Sequence, residues 1–199
     1  INDGSITINN NKVSFENFTS LVGGSGADTF RYIENGQWIG NIDGGGGRNI
    51  IDASLSVKDQ QFVVNGTALN SGTNLKNINQ LIANANTNSS LISTLQSNVW
   101  QIDNQGDGHL NRNLNSYLEF TGIANLQGGS SVDVFSFAKV SSLKGTVDGG
   151  GGNDIVNLVD MDSAIQVAVD AQTDADINLL NIETINANNN FFNTLKGDL

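Results

Sequence analysis

The chain has 199 residues, a formal net charge of −11, 23 glycines, and neither cysteine nor proline. It is long enough to bury a hydrophobic core, but it has no disulfide framework, so packing, backbone hydrogen bonds or ions must stabilise it. Nine basic residues against twenty acidic ones leave no positive surface for nucleic acid or anionic lipid. No apolar run approaches the roughly 18 residues of a spanning helix, so we predict neither nucleic acid nor membrane as a partner.

Short β-strands are predicted along the whole chain, in the order VSFENF, DTFRYI, QWIGNI, NIIDAS, QFVVN, DVFSF and DIVNLV. They are rich in Val, Ile, Phe and Thr, and they are bounded by Gly and Asn, which adopt corner conformations at least cost. Some of the Asn side chains are expected to stack from strand to strand in ladders. The segment LKNINQLIA has helix-like spacing of Leu75, Ile78 and Leu81, but Asn is a weak helix former and we predict strand there as well.

The chain contains an internal repeat. Residues 13–53 align without a gap on residues 118–158, an offset of 105, with fourteen of the 41 positions identical. Farther on, NINQLIAN at 77–84 matches NIETINAN at 181–188, and STL at 93–95 matches NTL at 193–195. We therefore predict two β-helical units, residues 1–100 and 101–199, in one continuous solenoid.

A shorter spacing predicts the fold inside each unit. Gly23 and Gly44 lie 21 residues apart, as do Gly128 and Gly149, and each opens a glycine cluster followed by a strand. A coil of that length cannot bury its inner face alone, but stacked coils can. The predicted fold is all-β, a right-handed parallel β-helix with coils of about 21 residues, nine or ten coils in total and about 45 Å long.

The four glycine clusters resemble the calcium-binding nonapeptide G-G-x-G-x-D. They read GGSGADTFR, GGGGRNIID, GGSSVDVFS and GGGGNDIVN. A 21-residue coil places Asp28 beside Asn49 and Asp133 beside Asp154, and two stacked carboxylates repel unless a cation or a proton lies between them. One hypothesis is therefore that these four residues are Ca²⁺ ligands, with the Asp133–Asp154 pair as the best candidate site. The other is that glycine turns the corner while Asp or Asn caps it by accepting backbone N–H groups.

Residues suited to catalysis are sparse. The single histidine, His109, lies in DNQGDGHLNRN and is predicted to be a surface-loop residue, and the chain has no thiol, so we predict no enzyme. Tyr32 and Trp38 align with Phe137 and Leu143, which favours burial in the core. If exposed, Tyr32, Trp38, Trp100 and Tyr117 could instead form a sugar-stacking platform. Such an aromatic row, or a clustered acidic groove, would favour a carbohydrate-binding or carbohydrate-cleaving β-helix.

The order of motifs in each unit is a Phe, a Leu, GG-x-x-x-D-x-F, G-x-[IV]-DGGGG-x-[ND]-I, NI and TL, with W-x-I at the junction. This order resembles the long repeats of very large secreted bacterial adhesins of the filamentous-haemagglutinin and repeats-in-toxin-like type. The resemblance implies a β-helical stalk or surface filament outside the cell, which projects a functional tip or contacts the host, surface glycans, the matrix or sister cells. A calcium-dependent extracellular folding module is the alternative.

The ends of the chain bear on its partners. It opens INDGSITINN, without Met or a leader, and we expect it to be a piece of a longer protein. Because the open ends of a solenoid invite stacking, neighbouring units of the same chain or head-to-tail copies are the expected partners.

Overall fold

The fold is built from β-strands. The computed structural model describes residues 4–8, 11–64, 72–113, 116–139, 141–169, 175–190 and 194–196. These residues form 21 strands and no helix, which confirms the all-β prediction, and LKNINQLIA forms parts of two strands rather than a helix. No segment of the described residues is a helix long and apolar enough to cross a membrane.

The strands form a hairpin and two large sheets. The hairpin is antiparallel and consists of β1 (Gly4–Ile8) and β2 (Asn11–Phe15). Sheet I has ten strands, which are β3 (Ser20–Val22), β5 (Gly40–Asp43), β7 (Gln61–Val64), β8 (Thr73–Lys76), β10 (Ser90–Ser93), β14 (Asn125–Gln127), β16 (Thr146–Asp148), β18 (Gln166–Val169), β19 (Ile177–Leu180) and β21 (Thr194–Lys196). Sheet II has nine, which are β4 (Thr29–Glu34), β6 (Ile50–Ser56), β9 (Gln80–Ala83), β11 (Val99–Asn104), β12 (Asp107–Asn113), β13 (Ser116–Thr121), β15 (Val134–Phe137), β17 (Ile155–Leu158) and β20 (Thr184–Ala187).

The chain passes repeatedly between the two sheets, and most neighbouring strands pair in parallel. Four strand pairs have the predicted spacing of 21 residues, and they are β3 with β5, β4 with β6, β14 with β16 and β15 with β17. The other parallel pairs are spaced differently, for two reasons. In sheet I the chain steps back, giving the spatial orders β5-β8-β7-β10 and β16-β19-β18-β21. In sheet II the antiparallel strands β11, β12 and β13 lie between β9 and β15.

The pairing pattern of the first half recurs in the second. The pairs made by β3 to β10 are repeated by β14 to β21, and the β1–β2 hairpin corresponds to β12–β13. Ser90 and Thr194 pair with Gln61 and Gln166, so the two final strands correspond at an offset of 104, and the match of STL with NTL at an offset of 100 is wrong. One repeat spans five strand steps in sheet I, from β3 to β14, but six in sheet II, from β4 to β15. The outer ends of the predicted units, residues 1–3 and 197–199, lie outside the described residues.

One hydrophobic cluster joins the inner faces of the two sheets. Side chains alternate along the strands, so that in β15 Phe135 and Phe137 are buried while their neighbours are half-buried. Trp100 is fully buried; its ring stacks on Phe135 at a centroid distance of 5.6 Å and meets Phe120 edge-on at 6.3 Å. Tyr32 and Trp38 are also buried, as their alignment with apolar residues predicted.

Candidate functional site

The glycine loops lie directly on one another. The Gly46 N–H donates to the Gly24 carbonyl at 2.8 Å, and in the second half the Gly151 N–H donates to the Gly129 carbonyl at 3.0 Å. Gly45 has a φ of +73°, and a Cβ added there would overlap the Gly24 carbonyl oxygen. Glycine is therefore required both by the left-handed backbone and by the close approach of the neighbouring loop.

An acid or amide side chain stands immediately before seven strands of sheet II. We call this series the acid–amide column, and it comprises Asp28, Asn49, Asn79, Asn98, Asp133, Asp154 and Glu183. Four members donate their backbone N–H to the side-chain oxygen of the next member of the column, at 2.6–3.0 Å. The donor and acceptor pairs are Asp28 to Asn49, Asn49 to Asn79, Asp133 to Asp154 and Asp154 to Glu183. The column thus satisfies backbone donors at the strand entrances.

The four predicted site residues all belong to this column, and the structure places them in the two neighbouring pairs that the 21-residue spacing predicts. Asp28 also accepts the Gly24 N–H at 2.8 Å, and Asp133 accepts the Gly129 N–H at 2.6 Å. These bonds support the corner-capping interpretation. Among the described residues, no group of three or more His, Cys, Asp or Glu side chains is placed to hold a metal ion. Calcium binding therefore stays a prediction.

Three members of the column were not predicted: Asn79, Asn98 and Glu183. They escape a search at 21-residue spacing because their partners in the column lie 29–35 residues away. A signal was nevertheless present, since each polar residue directly precedes a β-rich run.

Asp154 differs from its counterpart Asn49 in a way that matters for charge. The Asn49 amide donates to the Asn77 carbonyl at 2.9 Å. In the second half the corresponding atom is the Oδ2 of Asp154, which is buried and has no hydrogen-bond partner among the described residues. It lies 2.5 Å from where a Cβ on Gly149 would be, and that position also abuts the Asn181 carbonyl, the counterpart of the Asn77 carbonyl. An ionised Asp154 would thus bring two acceptors together without a donor.

The surroundings of Asp154 disfavour its charged form. Burial raises the pKa of Asp154, and the charges of Glu183 and Asp148 raise it further, while the hydrogen bond from the Asp133 N–H lowers it. The pKa of Asp133 is raised as well, mainly by burial, despite hydrogen bonds from Asn98 and Gly129. The pair therefore opposes folding when both members are ionised.

Replacing this acid by its natural counterpart tests the charge effect. We expect Asp154→Asn to raise the free energy of unfolding at pH 7 by about 1–3 kcal/mol, because the new amide can donate to the Asn181 carbonyl as Asn49 does to Asn77. The measurement is urea unfolding in excess chelator. The folded acid keeps its proton above its ordinary pKa of 3.8, so wild-type stability should fall as pH rises from about 4, and the variant should show less of that fall.

Asp43 provides the opposite pH dependence. Hydrogen bonds from Lys76, the Gly45 N–H and Asn77 lower the pKa of Asp43 to about 2. Its contribution to the free energy of unfolding is therefore lost only as pH falls below about 4. The effects of Asp154 and Asp43 on stability therefore occur on opposite sides of about pH 4 in a titration.

A destabilised Asp154→Asn in chelator would contradict the charge argument. If millimolar calcium stabilises the wild type but not this variant, the carboxylate is a calcium ligand.

The outer face of sheet II carries a groove of about 540 Å³ on the antiparallel strands. His109 lies there, and the prediction of a loop around it is wrong: DNQGDGHLNRN folds as a hairpin between β11 and β12, with Gly106 at a φ of +72° in the turn. The His109 Nδ1 is 3.4 Å from Asp103 Oδ2, and its ring centroid is 5.6 Å from that of Tyr117. Glu119 lines the same groove and forms an ion pair with Arg48.

This groove bears on the carbohydrate alternative. Tyr117 is 51% exposed, whereas Tyr32, Trp38 and Trp100 are buried. The Trp and Tyr residues therefore form no exposed row, although acidic residues do cluster around Tyr117. Carbohydrate binding therefore stays a prediction.

Neither a protein-family model, nor a curated protein, nor a solved structure matches the chain. The resemblance to adhesin repeats therefore stays a prediction.

Proposed function

We propose that this chain is a structural segment of an extracellular bacterial stalk, a right-handed parallel β-helix that adds length to an adhesin or surface filament. The observation that carries the proposal is the recurrence of the strand pairing. The parallel pairs of β10 with β14 and of β11 with β15 join the first half to the second by the same kind of ladder that holds each half together. A fold of this kind can be lengthened by whole repeats.

The surface chemistry suits such a role. We call each level of paired strands a rung. The bonds between neighbouring rungs include backbone ladders, the acid–amide column and side-chain amide pairs, such as Asn74 to Asn41 at 3.0 Å and Asn186 to Asn157 at 2.7 Å. These pairs bear out the predicted stacking of Asn side chains. Each new rung satisfies the polar groups of the preceding one, so the interior of a longer stack contains few unpaired edges. A net charge of −11 favours solubility of an exposed segment.

An in-register duplication tests the proposal. Residue 13 corresponds to residue 118, so inserting a second copy of residues 13–117 after residue 117 continues the repeat at equivalent positions. We expect the maximum dimension measured by small-angle X-ray scattering to increase by about 25 Å, which is five strand steps of about 4.8 Å. The mean residue ellipticity measured by circular dichroism should not change.

A matched control is an insertion of the same length with the order of its residues scrambled. It should lose β-structure per residue and show the scattering of a partly unfolded chain. If the true duplication also unfolds, or swells equally in all directions, the spacer function is wrong.

A further inference from the structure

The junction inside the chain shows what the first strands lack. β11 pairs in antiparallel fashion with β12, from Val99 opposite Asn111 to Ile102 opposite Gly108, and in parallel with β15 on its other side. The counterparts of β12 and β15 are β1 and β4. Among the described residues β1 pairs only with β2, and β4 only with β6. Both edges that would receive a strand of the β11 type are therefore open in the described chain.

The side chains next to these edges show the same deficit. At the internal junction Trp100 lies against Phe120 and Phe135, and all three are at most 1% exposed. Their counterparts in the first half, Phe15 and Phe30, are only partly buried. Among the described residues, no tryptophan lies against Phe15 and Phe30 as Trp100 lies against Phe120 and Phe135.

Sheet I has the same open end. At the junction β14 pairs with both β10 and β16, whereas its counterpart β3 pairs only with β5 in the described part of the chain. Leu126 is buried in β14, but its counterpart Leu21 in β3 is only partly buried. The segment that fills both positions at the internal junction is continuous in sequence, running from Ser90 in β10 to Asn104 in β11.

We propose that the edges of β3 and β4, with β1 and the rings of Phe15 and Phe30, form a docking surface for one occupant, a β10–β11 segment from an adjoining unit of the same kind. This inference rests on the proposed stalk function and specifies how one unit joins the next. The internal pairing sets the register: subtracting 105 from the β15 positions places Thr29 opposite the incoming Val and Phe30 opposite the incoming Trp. The indole then lies against Phe30 as Trp100 lies against Phe135.

The recognition is strand addition, in which backbone bonds give affinity and alternate side chains give specificity. The W-x-I pattern supplies both inward side chains, since Trp100 and Ile102 are fully buried at the internal junction while Gln101 between them is half-buried. A segment without the tryptophan would leave Phe15 and Phe30 unfilled. Binding should therefore depend on that one ring more than on any other side chain of the segment.

The test adds a synthetic peptide of residues 90–104, SLISTLQSNVWQIDN with N-terminal lysines for solubility, to the whole 199-residue chain. We expect saturable binding, a rise of the thermal midpoint, and slowed amide hydrogen exchange in Ser20–Val22 and Thr29–Tyr32. The same peptide with Trp100→Ala should bind at least tenfold more weakly. In the chain, Phe30→Ala should weaken binding of the unchanged peptide to a similar extent.

Three results would overturn the inference: no binding at millimolar peptide, equal binding of the Trp100→Ala peptide, or protection confined to β20 and β21 at the opposite end. The peptide variant keeps the test valid even if Phe30→Ala fails to fold. The duplication experiment is independent of it, since a chain that lengthens by the expected step but ignores the peptide would retain the spacer function and lose only this mode of joining.

Discussion

Trp100→Ala is expected to lower the free energy of unfolding by about 3–5 kcal/mol, the largest effect of any single substitution considered for this chain. The side chain is fully buried where β11 meets β15, and its ring lies against Phe135 on one side and Phe120 on the other. Its removal leaves a cavity at the junction between the two halves. Urea unfolding followed by circular dichroism measures the change.

Trp100→Phe is the matched control. The Trp100 Nε1 is buried and has no hydrogen-bond partner among the described residues, so replacing the indole by a phenyl ring removes an unsatisfied donor while keeping the stacking. We expect this variant to lose about 1 kcal/mol. A loss below 1 kcal/mol for Trp100→Ala would mean that the junction does not hold the halves together through this ring.

Gly129→Ala is expected to destabilise the chain by about 3 kcal/mol, because a Cβ there would overlap the backbone oxygen of Leu95 and crowd the Asn98 amide at 3.3 Å. The equivalent residue in the first half, Gly24, has nothing within 4 Å of an added Cβ. Gly24→Ala should therefore change stability by less than about 0.5 kcal/mol. The two substitutions are chemically identical and differ only in whether another rung lies against the loop.

Thermal unfolding of both variants in the same buffer checks this contrast. Equal destabilisation of the two would show that an intrinsic need for glycine in the corner, rather than the neighbouring rung, determines the effect. Equal tolerance would show that the loop around Gly129 can move away from Leu95.

Much of the fold follows from the sequence, because alternation of apolar residues and the 105-residue offset are properties of single strands and their order. The back-steps in sheet I do not follow, since β7 and β8 are consecutive strands that pair within one sheet and no local pattern distinguishes them from strands in opposite sheets. The hairpin around His109 does not follow either, because its glycines and asparagines suit a loop as well as a hairpin. Tertiary pairing, of β11 with β15 and of β12 with β13, decides between them.

The candidate site was predicted in part for the same reason. The neighbouring placement of Asp133 and Asp154 follows from a constant coil length, which holds locally. The unsatisfied Oδ2 of Asp154 does not follow, because it depends on the Asn181 carbonyl, which is contributed by a rung at a different spacing. Sequence spacing finds neighbours within regular coils, and it fails where strands are inserted.

The unequal number of strand steps in the two sheets has a mechanical consequence. Each repeat adds one more strand to sheet II than to sheet I, a difference of about 4.8 Å between faces that pack about 10 Å apart. If both ladders keep their normal spacing, the axis must bend by roughly 25–30° per repeat, with sheet II on the convex side. A long array of such units would trace an arc rather than a straight line, and pulling on its ends would first unbend it, giving the array elastic compliance before any strand is lost.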